Sequence, residues 1–266
     1  MKKVIAILVA AVMMMTLMVG CGAKEEGKVL TVYTEAGFAP YEFISDGKVV
    51  GVDMAIMEKV AEKLGMELKI SDVNFDGIIA GVKSGKADVG AAGITINDER
   101  KEEVDFSKPY SSTEQYLIVM KDQPADLTVE YLIGKKIGIQ SGTTSDFLIS
   151  DLIAEEALKD SEVVLYTAPA LAAAAMAGGK VDAVVTDKLP AQIIVANNAD
   201  QFQTYPLVGA DGAPVAEVEE YGICVKKGNT EVLNAINAVL DEIMADGTLD
   251  KWMEDYTQLA KDLGIE

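Results

Sequence analysis

The chain has 266 residues, 25% of them charged and 50% hydrophobic, with 43 acidic against 23 basic residues and no histidine. That length supplies ample core for one or two domains, and the composition excludes a disordered, collagenous or disulfide-framework protein. A formal charge of −20 argues against nucleic-acid binding, which needs a cationic face, and the missing histidine removes Ser-His-Asp and Cys-His catalysis together with the usual zinc sites.

Lys2 and Lys3 precede an apolar run from Val4 to Val19 broken only by Thr16. This reads as a signal peptide over residues 1–20, too short to span a bilayer comfortably. An uncleaved membrane anchor is the alternative. Met18-Val19-Gly20-Cys21 resembles a bacterial lipobox, which implies lipidation of Cys21 at the head of a polar tether, residues 21–27. Met18 stands where such motifs usually carry leucine. With Lys2 and Lys3 removed, 21 cations face 43 anions. Such a surface is not drawn to anionic lipid, so membrane attachment rests on the lipid anchor alone. Cys224, in the apolar stretch Tyr221 to Val225, is expected to be a buried free thiol with no disulfide partner.

After the tether, strands and helices alternate, the pattern of sheets covered by helices. Val29 to Thr34 reads as a strand, and Tyr41 to Phe43 with Val49 to Val52 as a hairpin around Ser45-Asp46-Gly47-Lys48. Asp53 to Leu64 has Met54, Met57, Val60, Ala61 and Leu64 at helical spacing and closes on Gly65. Those methionines are core residues. Glu67 to Ser71 reads as a strand, Asp76 to Ser84 as a helix ended by Gly85, and Asp88 to Ala91 as a strand.

The middle of the chain repeats this grammar. A strand, Lys135 to Ile139, opens on the turn Ser141-Gly142-Thr143-Thr144, and Ala168 to Ala177 is an alanine-rich helix. Gly178-Gly179-Lys180-Val181-Asp182-Ala183 echoes Ser84-Gly85-Lys86-Ala87-Asp88-Val89, so two lobes of like topology are expected. The helices Thr230 to Ala245 and Leu249 to Leu259 lack a sheet of their own and should pack on an existing lobe.

Arg100 is the one arginine among the 23 cationic residues. Its planar guanidinium can grip a carboxylate through two parallel hydrogen bonds, which lysine cannot. The plainer reading is a surface cation within Asn97 to Glu103. Its context favours the first: Gly93-Ile94-Thr95-Ile96 precedes it and Val104-Asp105-Phe106-Ser107-Lys108-Pro109-Tyr110 follows. This run resembles the signature of the solute-binding proteins of amino-acid ABC importers, the polar amino-acid group of type II periplasmic binding proteins. Val50-Gly51-Val52-Asp53-Met54-Ala55, Phe75-Asp76-Gly77-Ile78-Ile79, Ser141 to Thr144 and Val181 to Asp187 match further motifs of that family in order.

The resemblance implies an α/β fold of two similar lobes joined by two crossing segments: lobe 1 over residues 28–110 and 222–266, lobe 2 over 115–216, and a hinge at 111–114 and 217–221. It implies that Arg100 pairs with the α-carboxylate of a free L-amino acid, helped by the backbone N–H groups of Thr95 and Thr144. Thr144 would open a helix, whose free N–H groups favour an anion. The α-ammonium would meet the Gly93 carbonyl, the Thr95 hydroxyl and Asp187, with Phe38 and Phe75 as walls. Asp187 also suits a helix N-cap before Lys188-Leu189-Pro190, and the two phenylalanines suit plain core. By their places in the motifs, Glu35, Gln140 and Thr186 would meet the ligand side chain.

The expected function is therefore hinge-closure capture of an amino acid by a monomeric, extracytoplasmic, lipid-anchored protein that hands it to permease subunits, with no catalysis, cofactor or metal. Glu35 favours a polar or basic ligand, with Arg, Lys, His and Gln ahead of Glu; were Glu35 turned to solvent, an apolar ligand such as Met or Leu would fit better. The rival reading is an enzyme on the same fold, such as a cyclohexadienyl dehydratase using a cleft carboxylate as general acid. A receptor or regulator domain is a third reading, disfavoured because no helix-turn-helix region and no second membrane segment is read in the chain.

Overall fold

A computed structural model describes residues 28–265; the leader, Cys21 and the tether lie outside the described residues. Two five-stranded mixed sheets form two lobes. In chain order the first lobe holds β1 (Val29–Thr34), β2 (Gly37–Phe38), β3 (Glu42–Ser45), β4 (Lys48–Val50), β5 (Glu67–Asp72), β6 (Val89–Gly90) and β7 (Val104–Phe106). β8 (Ser111–Thr113) leads out of it. The second lobe holds β9 (Gln115–Met120), β10 (Lys136–Gln140), β11 (Glu162–Tyr166), β12 (Ala183–Asp187) and β13 (Phe202–Pro206). β14 (Glu219–Tyr221) leads back, and β15 (Cys224–Lys226) rejoins the first sheet.

The sheet orders are β5-β1-β6-β15-β7 and β11-β10-β12-β9-β13. In each, three parallel strands are followed by one antiparallel strand, the one that has just arrived from the other lobe. The sequence reading names no strand at β7, β9, β11, β13 or the returning β15. β8 and β14 pair antiparallel, with Thr113 opposite Glu219 and Tyr221 opposite Ser111. This is the type II periplasmic-binding-protein architecture.

The repeated Gly-Lys-x-Asp string has a physical meaning in each lobe. Gly85 and Gly179 both take positive φ, the left-handed turn that ends a helix without Cβ strain. The aspartate three residues on then ties two parallel strands at their starts. Asp88 Oδ2 accepts from the Thr31 N–H at 2.8 Å, and Asp182 Oδ2 accepts from the Lys136 N–H at 2.8 Å.

Both sheets are covered on both faces, as parallel strands require. In β1, Leu30 and Val32 join the core under the helices Val52–Leu64 and Thr230–Ala245, while Tyr33 faces the opposite cluster around Ile78, Val82 and Cys224. In β9, Tyr116 and Ile118 face one cluster and Leu117 and Val119 the other. Alternation with period two assigns each residue its face. Met54 and Met57 are core residues, and Cys224 is a buried free thiol pushed up to about 12 by burial.

Element bounds shift modestly from the sequence reading. The first helix starts at Val52, and the expected helix Asp76 to Ser84 opens as a 3-10 turn, Phe75–Gly77, before Ile78–Ser84. The last helix runs Thr248–Asp262 and packs on Val52–Leu64 and also on Lys188–Asn197 of the second lobe. Ala260 and Ile193 share one small cluster there, and Asn197 Nδ2 donates to the Ile265 carbonyl. The chain end thus touches both lobes. No helix among the described residues is long and apolar enough to cross a membrane.

Candidate functional site

The carboxyl ends of both sheets face one another across the crossing strands, and there they close on a small cavity of about 10 Å³. Phe38, Phe75, Gly93, Thr95, Arg100, Gln140, Thr143, Thr144 and Asp187 line it. Arg100 comes from the short helix Asp98–Glu103, whose N-cap Asn97 accepts from the Arg100 N–H at 2.8 Å. That cap turns the side chain inward, where it is buried. Nη1 donates to the Thr95 carbonyl at 2.9 Å and Nη2 to the Gly142 carbonyl at 3.1 Å. The guanidinium carbon lies 5.4 Å from the Phe75 ring centroid, a cation–π stack. Five N–H groups less these two leave donors for a carboxylate. Burial lowers the Arg100 pKa, and the charge of Glu219 is the first to oppose that shift.

Thr95 bridges antiparallel to Tyr221. The ladder bonds on either side run Ile96 N–H to the Glu220 carbonyl and Gly222 N–H to the Ile94 carbonyl. Thr95's own N–H and carbonyl therefore point away from β14, and the carbonyl receives Arg100. Gly93 sits at φ 53° with its N–H on Asp53 Oδ2 at 3.0 Å. A Cβ there would lie 2.9 Å from the Phe38 ring, so the wall and the backbone that faces it demand glycine.

Lobe 2 supplies a helix start and a carboxylate. Thr143 caps the helix Thr144–Ala154 by accepting from the Asp146 N–H at 3.3 Å, which puts Thr144 in its first turn at the cavity. Asp187 ends β12 and stands at the N-cap position of the helix Lys188–Asn197, yet makes no cap bond. Its oxygens turn to the cleft instead: Oδ1 accepts from Gln115 Nε2 at 2.6 Å and Oδ2 from the Tyr221 hydroxyl at 2.5 Å. Burial first, and then the charge of Glu219, push the Asp187 carboxyl up to about 7.

Gln140 Nε2 donates across the cleft to Glu35 Oε2 at 3.0 Å and to the Thr167 carbonyl at 2.8 Å. Burial raises Glu35 to about 7. Glu35 thus bounds the cavity through Gln140 rather than turning to solvent.

The structure brings Arg100, Thr95, Gly93, Thr144, Asp187, Phe38, Phe75 and Gln140 together, with Glu35 at their margin. Thr186 is buried in β12 and is not among the residues that line this cavity. Its neighbour Asp187 is, and adjacent strand residues face opposite sides. Three residues at the site escaped the sequence reading. Gln115 and Tyr221 hold Asp187, and Glu219 accepts from Thr95, Thr144 and Gln115. Gln115 and Glu219 stand in stretches that no motif marks, and neither residue type is unusual there.

The site has the donors for a carboxylate on one side and acceptors for an ammonium on the other. Residues 30–258 match the model of the bacterial extracellular solute-binding proteins, family 3. A probable histidine-binding protein of Campylobacter jejuni is 31% identical over 228 residues, 85% of this chain and 84% of the relative. The L-cystine-binding protein TcyJ of Escherichia coli is 30% identical over 235 residues, 86% of this chain and 84% of the relative. The crystal structure of the amino-acid ABC transporter substrate-binding protein AbpA of Streptococcus pneumoniae, bound to L-arginine, superposes with a TM-score of 0.79 at 32% identity, covering 90% of this chain and 96% of that one. With donors and acceptors so disposed and the family model matched almost end to end, the chain belongs to the bacterial extracellular solute-binding proteins of family 3, in the group that serves amino-acid ABC importers.

Proposed function

We propose that this protein captures a free L-amino acid with a cationic or amide-bearing side chain and delivers it to the permease of an ABC importer. The charge balance of the cavity carries the reading. Arg100 is the one cation among the described lining residues, while Asp187, Glu219 and Glu35 stand on or beside the cavity. Arg100 and Asp187 offset the carboxylate and ammonium of any amino acid. The two remaining carboxyls favour a positive side chain and oppose a negative one. The L-arginine in the pneumococcal structure and the Campylobacter relative, a probable histidine-binding protein, agree with this; cystine, which TcyJ binds, is neutral.

Arg100 and the start of the helix Thr144–Ala154 hold the α-carboxylate. Gly93, Thr95 and Asp187 receive the α-ammonium, and Phe38 and Phe75 pack the stem. Lobe 1 comprises residues 28–110 and 222–266, lobe 2 residues 115–216, and the chain bends at 111–114 and 217–221. Thr144 and Asp187 contact the ligand only in the closed form, so binding favours closure. The protein is a monomer, tethered outside the cytoplasm through a lipidated Cys21 once residues 1–20 are removed. It performs no catalysis.

Calorimetry of refolded protein against the twenty amino acids tests the ligand class. Arginine, lysine, histidine or glutamine should bind most tightly. Glutamate or leucine binding more tightly than all four would overturn the assignment.

A further inference from the structure

We propose that Glu42 and Asp53 form a buried acid–carboxylate pair that positions Gly93, the backbone seat of the α-ammonium in the proposed function. Both side chains are fully buried in the first lobe. Asp53 lies in the first turn of the helix Val52–Leu64, and Glu42 opens β3. Backbone contacts press the two together. The Asp53 N–H donates to the Tyr41 carbonyl at 3.0 Å, and a Cβ on Gly51, at φ 135°, would lie 2.9 Å from the Glu42 Cα. Asp53 Oδ2 accepts from the Gly93 N–H at 3.0 Å and Oδ1 from the Tyr110 hydroxyl at 2.6 Å. No N–H or hydroxyl of another described residue reaches either Glu42 oxygen. The partner Glu42 has is the Asp53 carboxyl.

Two carboxylates only accept, so a bond between them requires that one keep a proton. The surroundings decide which. Asp53 has two donors and the N-terminal end of a helix, all of which favour its anion. Glu42 has none of these, and burial, followed by the charges of Asp53 and Glu35, raises its carboxyl well above the ordinary value. Tyr110, the Gly93 N–H and Glu42 act on Asp53, and Tyr41 acts on Tyr110; none of these groups is a cation. Neutral Glu42 is therefore the third donor to the Asp53 anion. Asp53 in turn holds the Gly93 N–H, and with it the φ of 53° that sets the direction of the Gly93 carbonyl. Burial already pushes Asp53 up to about 6 against these donors. Without the Glu42 proton it would rise into the neutral range, take up a proton itself and turn one acceptor oxygen into a donor.

Two spectroscopic readouts need no ligand. At about pH 9, well above the value of about 7 for Glu35 and Asp187, wild type should still show the infrared band of a protonated carboxyl, and Glu42→Gln should lack it. The Gly93 amide resonance should keep its position in Glu42→Gln, whose amide donates as the acid does, and move in Glu42→Met, which has no donor. Absence of the band in wild type, its persistence in Glu42→Gln, or an unmoved resonance in Glu42→Met overturns the pair.

The binding readout rests on the proposed function. Titration with L-arginine near neutral pH should give Glu42→Gln the affinity of wild type within about twofold, and Glu42→Met about tenfold less, the scale of one charge-assisted bond. That deficit should shrink toward about pH 9 as Asp53 ionises again. Equal affinity in all three proteins, equal loss in both variants, or a deficit that ignores pH overturns the positioning role. Asp53→Asn, nearly isosteric, should also move the Gly93 resonance and weaken L-arginine, and it decides the role if Glu42→Met does not fold. Failure of wild type to bind L-arginine would defeat the proposed function, and the spectra would still decide the pair.

Discussion

Glu35 and Gln140 meet across the cleft, the amide of one donating to the carboxyl of the other at 3.0 Å. They sit on opposite lobes, after β1 and at the end of β10. The bond holds a half-buried carboxyl beside the cavity, where desolvation lifts its pKa from 4.5 to about 7. A cationic side chain arriving beside Glu35 would reverse that shift.

Affinity for arginine should therefore rise with pH between about 6 and 8 and exceed any rise for glutamine. Binding of arginine should release more protons than binding of glutamine, because a cation favours ionised Glu35. Calorimetry in buffers of different ionisation enthalpy measures the difference, and Glu35→Gln should abolish it. Equal proton release for both ligands would separate Glu35 from the ligand side chain.

Arg100→Lys should leave the fold intact and nearly abolish binding. Lysine cannot replace a guanidinium that holds two carbonyls and still presents a fork. Breaking a buried charge pair costs on the order of 3–5 kcal/mol. Titration of the variant with arginine should show affinity reduced by more than about a hundredfold, and circular dichroism should match wild type. Affinity within a few-fold of wild type would remove Arg100 from the site.

The ligand-free protein should melt at higher temperature at pH 5 than at pH 8. Glu35 and Asp187 are raised to about 7, and Asp53 from 3.8 to about 6. Each native carboxyl is raised above its unfolded value, so its stabilising contribution is complete below that unfolded value and is lost as pH rises through 6–7. Differential scanning fluorimetry across this range measures the slope. A melting temperature that climbs with pH would contradict it.

Cys21→Ala should release the exported protein from the membrane fraction and leave ligand affinity unchanged. Continued partition with membranes would mean that Val4 to Val19 is an uncleaved anchor.

Prephenate and arogenate should pass through the protein unchanged. Asp187 is already engaged by Gln115 and Tyr221, an arrangement that fits an ammonium acceptor. Aromatic product in the incubation would establish a dehydratase on this fold.

Local chemistry made much of this protein legible in its sequence. Helix stops at Gly65 and Gly85, the repeated Gly-Lys-x-Asp string and the isolated Arg100 each depend on residues within a few positions of one another. The site residues that lie in ordered motifs could be assembled for the same reason. Thr186 and Asp187 show where that reasoning ends: both are buried, and only strand register decides which of the two faces the cavity. Asp187 could equally have capped its helix, but the Gln115 amide and the Tyr221 hydroxyl claim its oxygens instead. Glu219 stands among the acidic neighbours Glu217 and Glu220 and carries no local signal. Its role arises because β8 and β14 bring it between Thr95 and Thr144, which lie 124 and 75 residues away along the chain. Short-range spacing selects the turns, caps and buried faces, whereas a carboxylate shared by two lobes exists only once distant strands have paired.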